Sequence, residues 1–210
     1  MTRIALRTLL LAAALACTAL PAAAQTAPAA PPRNEALRQE LLRMYEADQA
    51  VRQRFFGEAM RDEALGREMI ALDAAHTKRL REIFEAHGFP GVPLVGKEAA
   101  QAVVTMVVHG PSLELKKQAL APLLEAARRG EVPMSAYAGL LDTVLRNEGQ
   151  PQVYGTRFES VGGKLVLAPT RDLKGLAARR RKVGLMPMAE YVKGLGEMYK
   201  VPVVAEGVPR

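Results

Sequence analysis

Apolar residues recur every three or four positions through much of the chain, which is the spacing of amphipathic helices. The first such stretch begins at Asn34, a residue that can cap a helix, and continues to about Phe56. The second runs from Asp62 to His87, where a glycine and then a proline prevent the helix from continuing. The pattern therefore predicts two long helices, each with one buried face.

Three further helices are expected in the middle of the chain. A nearly continuous apolar run from Glu98 to His109 predicts a buried central helix, with a strand as the alternative because the run is rich in valine. Residues 91–96 before it are predicted to form a loop. Two amphipathic helices follow, over residues 113–129 and 135–147.

The pattern changes after Gly149. Residues 152–158 and 164–167 are short β-prone runs on either side of two glycines, which predicts a hairpin. A hairpin of this size must pack on helices to be stable. Two closing helices are expected over residues 173–183 and 187–200. The predicted fold is mainly α, a single multi-helix domain over residues 34–205 with a small β-hairpin after the fifth helix.

The N-terminus has the order of a signal peptide over residues 1–24. Two arginines precede an apolar run that is too short to span a bilayer, and three alanines end the segment at Ala24. Residues 25–33 are rich in proline and alanine and predict a linker. We therefore expect a periplasmic or secreted protein with no transmembrane segment in the mature chain. The alternative is a lipoprotein acylated at Cys17.

Charge and composition narrow the function classes. The net charge of +7 falls to +5 once Arg3 and Arg7 are removed with the signal peptide, and the one cysteine is removed with them. Thiol chemistry is thereby excluded from the mature chain. The basic residues alternate with acidic ones along the helices, so no nucleic-acid partner is expected. No glycine-rich phosphate loop or serine nucleophile elbow is present, and no cofactor is predicted.

The histidines are candidates for a catalytic site or a metal site. Asp73 and His76 are three residues apart on one predicted helix, so the carboxylate can orient the imidazole, although an exposed pair is the simpler interpretation. His87 lies at the end of that helix, where a cation is favourable. These histidines and His109 lack the short spacing of a structural zinc site, and no metal site is predicted.

His109 ends the apolar helix, and a partly buried ring nitrogen needs a partner. Asp142 is a candidate partner, because an acid within an apolar run either pairs with a cation or has a shifted pKa. The phenol of Tyr154, the hydroxyl of Thr156 and the guanidinium of Arg157 lie within four residues. Together they are suited to bind an anion or a carbonyl group. The predicted ligand-binding residues are Tyr154, Thr156, Arg157 and Arg180, and the predicted polar cluster joins His109, Asp142, Tyr154, Arg157 and Arg180.

The order of several short motifs resembles a bacterial family of unknown function with a Gln-x-Tyr-Gly-Thr-Gln signature. The motifs are Asp48-Gln49, Asp73, Gly88-Phe89-Pro90, His109, Leu141-Asp142, the run from Gln152 to Thr156, Arg179-Arg180, Val183-Gly184-Leu185 and Tyr191. The resemblance covers residues 37–199 and implies a helical domain with a polar cluster from distant segments. The chain departs from the pattern at His76, Val108, Thr143 and Arg157, where the family usually has Asn, Gln, Arg and Gln.

Two function classes follow from these residues. The first is a binding or interaction module whose polar cluster holds a small anionic ligand or meets a protein partner. The alternative is a hydrolase or lyase in which His109 is the general base, Asp142 or Asp73 orients it, and Arg157 with Tyr154 stabilises a developing anion. The sequence leaves open whether the protein is an enzyme.

Overall fold

A computed structural model describes residues 32–58 and 62–208. The predicted signal peptide, Cys17 and all but the last two residues of the predicted linker lie outside the described residues. The described helices are α1 (Glu35–Gly57), α2 (Glu63–His87), α3 (Val92–His109), α4 (Leu113–Arg128), α5 (Met134–Asn147), α6 (Leu176–Lys182) and α7 (Met188–Tyr199). The strands are β1 (Phe158–Val161), β2 (Lys164–Leu167) and β3 (Val203–Val204). The mainly α prediction, with a small sheet after the fifth helix, is confirmed.

Helices α1, α2 and α4 begin close to the predicted positions, and a capping side chain precedes each of them. The side chain of Asn34 accepts a hydrogen bond from the backbone N–H of Leu37, and Asp62 caps α2 in the same way. Ser112 caps α4. At the other end of α2, Gly88 has a φ of 68°, a left-handed value that glycine adopts without strain. These local signals fix the helix bounds independently of tertiary packing.

Helix α3 is the centre of the core. It packs against α1, α2, α4 and α5, and most of its side chains are buried. Leu41 of α1, Val103 of α3, Leu123 of α4 and Leu140 of α5 have no exposed surface and meet in this core. The valine-rich run therefore forms the predicted helix and not the alternative strand.

Two local predictions are wrong. Residues 92–95 are helical and not part of a loop, since α3 begins at Val92 and bends at Gly96, whose φ is 78°. The first strand covers 158–161 and not 152–158, because side chains bind the backbone N–H groups of the preceding segment and leave them unavailable for strand pairing.

The sheet is small and has the order β1-β2-β3. Strand β1 pairs antiparallel with β2 in the predicted hairpin, and β3 adds a parallel edge that the sequence pattern did not show. The predicted helix over 173–183 is shorter than expected, since a 3₁₀ turn over Leu173–Gly175 precedes α6. Within the described ranges, none of the helices combines the length and apolar character that a bilayer crossing requires.

Candidate functional site

His109 and Asp48 form a buried hydrogen-bonded pair between α3 and α1. The Nδ1 atom of His109 lies 3.0 Å from each carboxylate oxygen of Asp48. An ionised carboxylate only accepts hydrogen bonds, so Nδ1 carries the proton and donates it. Asp48 is 1% exposed and also accepts from Gln49 Nε2 at 2.7 Å and Arg52 Nε at 3.1 Å. The imidazole is therefore held in one orientation.

The surroundings of Asp48 keep its side chain ionised. Burial by itself raises the pKa of this carboxyl group, but the hydrogen bond from His109 and the charges of His109 and Arg52 outweigh it. The pKa of Asp48 is consequently below its ordinary value. The partner of His109 is thus a charged hydrogen-bond acceptor at neutral pH.

Arg52 links this pair to α2. Its Nη2 donates to Asp73, so Asp73 pairs with an arginine of α1 and does not orient His76 as the spacing suggested. His76 is 7% exposed, which also contradicts the interpretation as an exposed pair, and its Nδ1 has no partner among the described residues. Burial lowers the pKa of His76. His87 lies in the last turn of α2, as predicted, and is exposed.

Asp142 binds the backbone of the loop after α5 and is not the partner of His109. Its carboxylate accepts hydrogen bonds from the backbone N–H groups of Val153 at 2.8 Å, Tyr154 at 3.0 Å and Thr156 at 3.0 Å. The Thr156 hydroxyl donates a further bond at 2.9 Å. The expected cationic partner of Asp142 is therefore wrong, since backbone donors of a loop bind this buried acid instead.

Arg180 braces the same loop from the other side. It is 1% exposed and donates to the carbonyl oxygens of Tyr154, Gly155 and Met186. Its guanidinium lies 5.0 Å from the centre of the Tyr191 ring, and the Tyr191 hydroxyl donates to Thr156 O. The predicted cluster is therefore divided, since Asp142, Thr156 and Arg180 hold the loop and His109 belongs to a separate pair with Asp48.

The loop fixes the position of Arg157. Gln152 binds both sides of its backbone, accepting from Arg157 N at 2.8 Å and donating to Arg157 O at 2.9 Å. The side chain runs back to α5, where Nη2 donates to Gly139 O at 3.1 Å. Its Nε is buried without a partner, and Arg157 forms no ion pair with any described carboxylate. Burial lowers the pKa of this guanidinium.

His109 and Arg157 line one cleft of about 410 Å³ between α3 and α5. The walls are mostly apolar and include Val104, Val108, Val132 and Leu140. Tyr45, Gln101, Thr105 and Ser135 add neutral polar groups, and no aspartate or glutamate lines the cleft. Arg157 also borders a smaller cavity of about 200 Å³ beside Tyr191 and Tyr199. Arg157 and His109 thus lie in a largely apolar pocket of ligand size.

A second buried cation lies nearby. Lys116 of α4 is 4% exposed, and its ammonium donates to Gly110 O, one residue after His109. Burial lowers the pKa of Lys116, and the charge of Arg157 lowers it further. No described group of three or more His, Cys, Asp or Glu side chains is placed to hold a metal ion.

Sequence reasoning missed Asp48 and Lys116 as members of this region. Asp48 follows Leu37 and Leu41 at helical spacing and lies on the buried face of α1. An acid on an apolar stripe was therefore the available signal. Lys116 gave the same kind of signal beside Leu115 and Ala119.

Comparison with known proteins supplies one match. The sequence profile of a family of unknown function, DUF6624, matches residues 35–204. Searches of curated proteins and of solved structures gave no match.

Proposed function

The chain belongs to the DUF6624 family of unknown function, and we propose that it is a binding module whose cleft holds a small anionic ligand between His109 and Arg157. One observation carries the proposal. Arg157, whose Nε is buried without a hydrogen-bond partner, has no carboxylate partner among the described residues, and it lines the same cleft as His109.

The local charges favour an anion. A buried cation without a counter-charge is costly, so it normally pairs with a carboxylate or with a bound anion. The carboxylates of this region are already engaged, since Asp48 and Asp73 share Arg52 and Asp142 accepts from the loop backbone. Arg157 therefore lacks a counter-charge among the described residues, and an anionic ligand would supply one.

The two cationic groups are held in place before any ligand arrives. Gln152 fixes the backbone of Arg157 on both sides, and Asp48 fixes the ring of His109. Binding to groups that are already ordered costs less conformational entropy than binding to mobile side chains. Because Nδ1 faces Asp48, Nε2 is the ring nitrogen available to the cleft, and it donates to an anion when the ring is protonated.

The second candidate is the hydrolase or lyase with His109 as general base. The hydrogen bond between Asp48 and His109 favours it, because this bond leaves an unprotonated Nε2 ready to accept a proton from water. Asp48 takes the orienting role that the sequence analysis gave to Asp142 or Asp73. Arg157 would then stabilise negative charge that develops on the substrate.

Anion binding can be tested on the full chain with sodium phosphate, sulfate, acetate and benzoate against sodium chloride at equal ionic strength. The measurement is the shift of the ¹⁵Nε–¹H resonance of Arg157, together with the melting temperature. At least one anion should shift both in the wild type and should raise the melting temperature of R128Q, which removes a guanidinium from an exposed pair with Glu125. R157Q should lose that rise. If no anion acts, or if R157Q keeps the response, the proposal is wrong.

The two functions differ in their response to H109Q. A binding module needs His109 for affinity, and its ligand is recovered unchanged after incubation. A hydrolase would release p-nitrophenol from p-nitrophenyl esters, and both H109Q and D48N would lower kcat without a matching change in KM. Turnover that is retained in H109Q would exclude His109 as the general base.

A further inference from the structure

The walls of the cleft indicate which anion it takes. We infer that the ligand is a monocarboxylate with a compact apolar body, such as a branched aliphatic or an aromatic acid, and not a phosphate, a sugar or a free amino acid. The inference rests on the proposed function, since it names the ligand class of the same cleft.

Two helices form apolar walls of the cleft. Val104 and Val108 are four residues apart on α3, and Ala136 and Leu140 are four residues apart on α5, so each pair lies on one face of its helix. Val108 and Ala136 are partly exposed, and the buried Val104 and Leu140 lie behind them. Val132 extends the apolar surface before α5. Such a wall gains free energy from covering an apolar group and none from covering a hydroxyl-rich sugar.

The charged side chains lie beside these apolar residues. His109 is the last residue of α3, directly after Val108. Arg157 reaches α5 at the carbonyl of Gly139, between Ala136 and Leu140. A ligand that contacts both the charged side chains and the apolar residues therefore carries a charged group together with an apolar body.

The donors suit one carboxylate better than a phosphate. Nη2 of Arg157 is used by Gly139 O, and its Nε is buried, which leaves Nη1 and His109 Nε2 to face a ligand. These two nitrogens can serve both oxygens of one carboxylate, whereas the further charged oxygens of a phosphate would meet no other cationic side chain in this lining. The carbonyl end of α3 beside His109 also disfavours a second negative charge.

The absence of acids from the lining excludes an ammonium group on the ligand. No aspartate or glutamate is among the residues that line this cleft in the described part of the chain. A free amino acid would therefore bring an ammonium into a pocket that already holds the guanidinium of Arg157 and offers no carboxylate to pair with it. The same acid without its amino group avoids this repulsion.

Calorimetric titration of the full chain with matched probes tests the inference. The probes are 4-methylpentanoate, leucine (which adds an ammonium), 4-methylpentanamide (which removes the charge), acetate and inorganic phosphate. We expect 4-methylpentanoate to bind at least tenfold more tightly than each of the others, because acetate lacks several buried carbon atoms worth about 0.8 kcal/mol each.

Two variants identify the surface that is responsible. R157Q should lose binding of 4-methylpentanoate. V108Q places an amide on the apolar wall, so it should weaken the affinity for 4-methylpentanoate at least fivefold and leave the affinity for acetate unchanged. Melting curves of both variants establish that they fold. R128Q is the matched control, since it removes a guanidinium from an exposed pair with Glu125 outside the cleft and should bind like the wild type.

The outcomes separate the two proposals. If phosphate, acetate or leucine binds as tightly as 4-methylpentanoate through Arg157, the ligand class is wrong and the anion-binding function stands. If no anion of this panel or of the earlier one binds, both proposals are wrong. If 4-methylpentanamide binds as tightly as the acid, the cleft recognises apolar groups alone and the carboxylate assignment is wrong.

Discussion

The Nδ1 atom of His109 lies 3.0 Å from both carboxylate oxygens of Asp48, although 61 residues separate the two along the chain. Packing of α1 against α3 brings them together. Because Asp48 also accepts from Arg52 and Gln49, the pair is part of the core and its geometry follows the fold. The orientation of His109 and the stability of the helices are therefore coupled, and changes at Asp48 should affect both.

Replacing Asp48 with asparagine should destabilise the protein. Asparagine keeps the shape but removes the negative charge that His109 and Arg52 share, and breaking a buried pair in this way costs about 3 kcal/mol. Urea unfolding of D48N measures the loss in free energy. E46Q is the matched control, since Glu46 is on the same helix and exposed, and it should be within about 0.5 kcal/mol of the wild type. Equal stabilities of the two variants would contradict the prediction.

Replacing Asp142 with asparagine should destabilise the protein about as much as D48N does. In D142N an amide NH₂ replaces one acceptor oxygen and faces backbone N–H groups of residues 153–156, so buried donors lose their partner at a cost of about 3 kcal/mol. Hydrogen exchange at the amides of Val153, Tyr154 and Thr156 should quicken. E125Q changes an exposed carboxylate that pairs with Arg128 away from this loop, and it provides the comparison. Unchanged exchange in D142N would show that the loop is held by other contacts.

Gly155 should tolerate alanine less well than Gly163. Both have positive φ values, 65° and 74°, so an added Cβ costs about 1 kcal/mol in backbone strain at either site. At Gly155 the Cβ would also lie 2.8 Å from Met188 Cε and 3.3 Å from Leu176 Cδ2, whereas Gly163 has open space. Overpacking adds about 1 to 3 kcal/mol. Urea midpoints of G155A and G163A measure the difference, and equal midpoints would refute the close approach.

His76 should make the protein less stable in mild acid. Burial lowers its pKa in the folded state, so below the ordinary value near 6.5 the unfolded chain binds a proton that the folded chain resists, despite the nearby charges of Asp48 and Asp73. Stability should therefore fall as the pH drops from about 7 to 5. H76N should flatten this part of the profile, measured by urea unfolding at several pH values. A slope that H76N leaves unchanged would assign the effect to another group.

Sequence reasoning was accurate where the signal is local. The starts of α1, α2 and α4 follow from Asn34, Asp62 and Ser112, because a capping side chain binds backbone groups two or three residues away. The buried character of α3 follows from its composition. The hairpin was recognised from its glycines, but its first strand was placed too early, since pairing of residues 152–157 is decided by Asp142 and Gln152.

The amino-acid pattern thus determined which segments are mainly helical, where α1, α2 and α4 begin, and the need of Asp142 and His109 for partners. Only the tertiary structure decided which groups those partners are. A buried carboxylate must be satisfied, but backbone N–H groups, arginines and histidines all satisfy it, and the packing of distant segments selects among them. For this reason Asp48 binds His109 and Asp142 binds the loop after α5. Arg157 has no described counter-charge in the cleft.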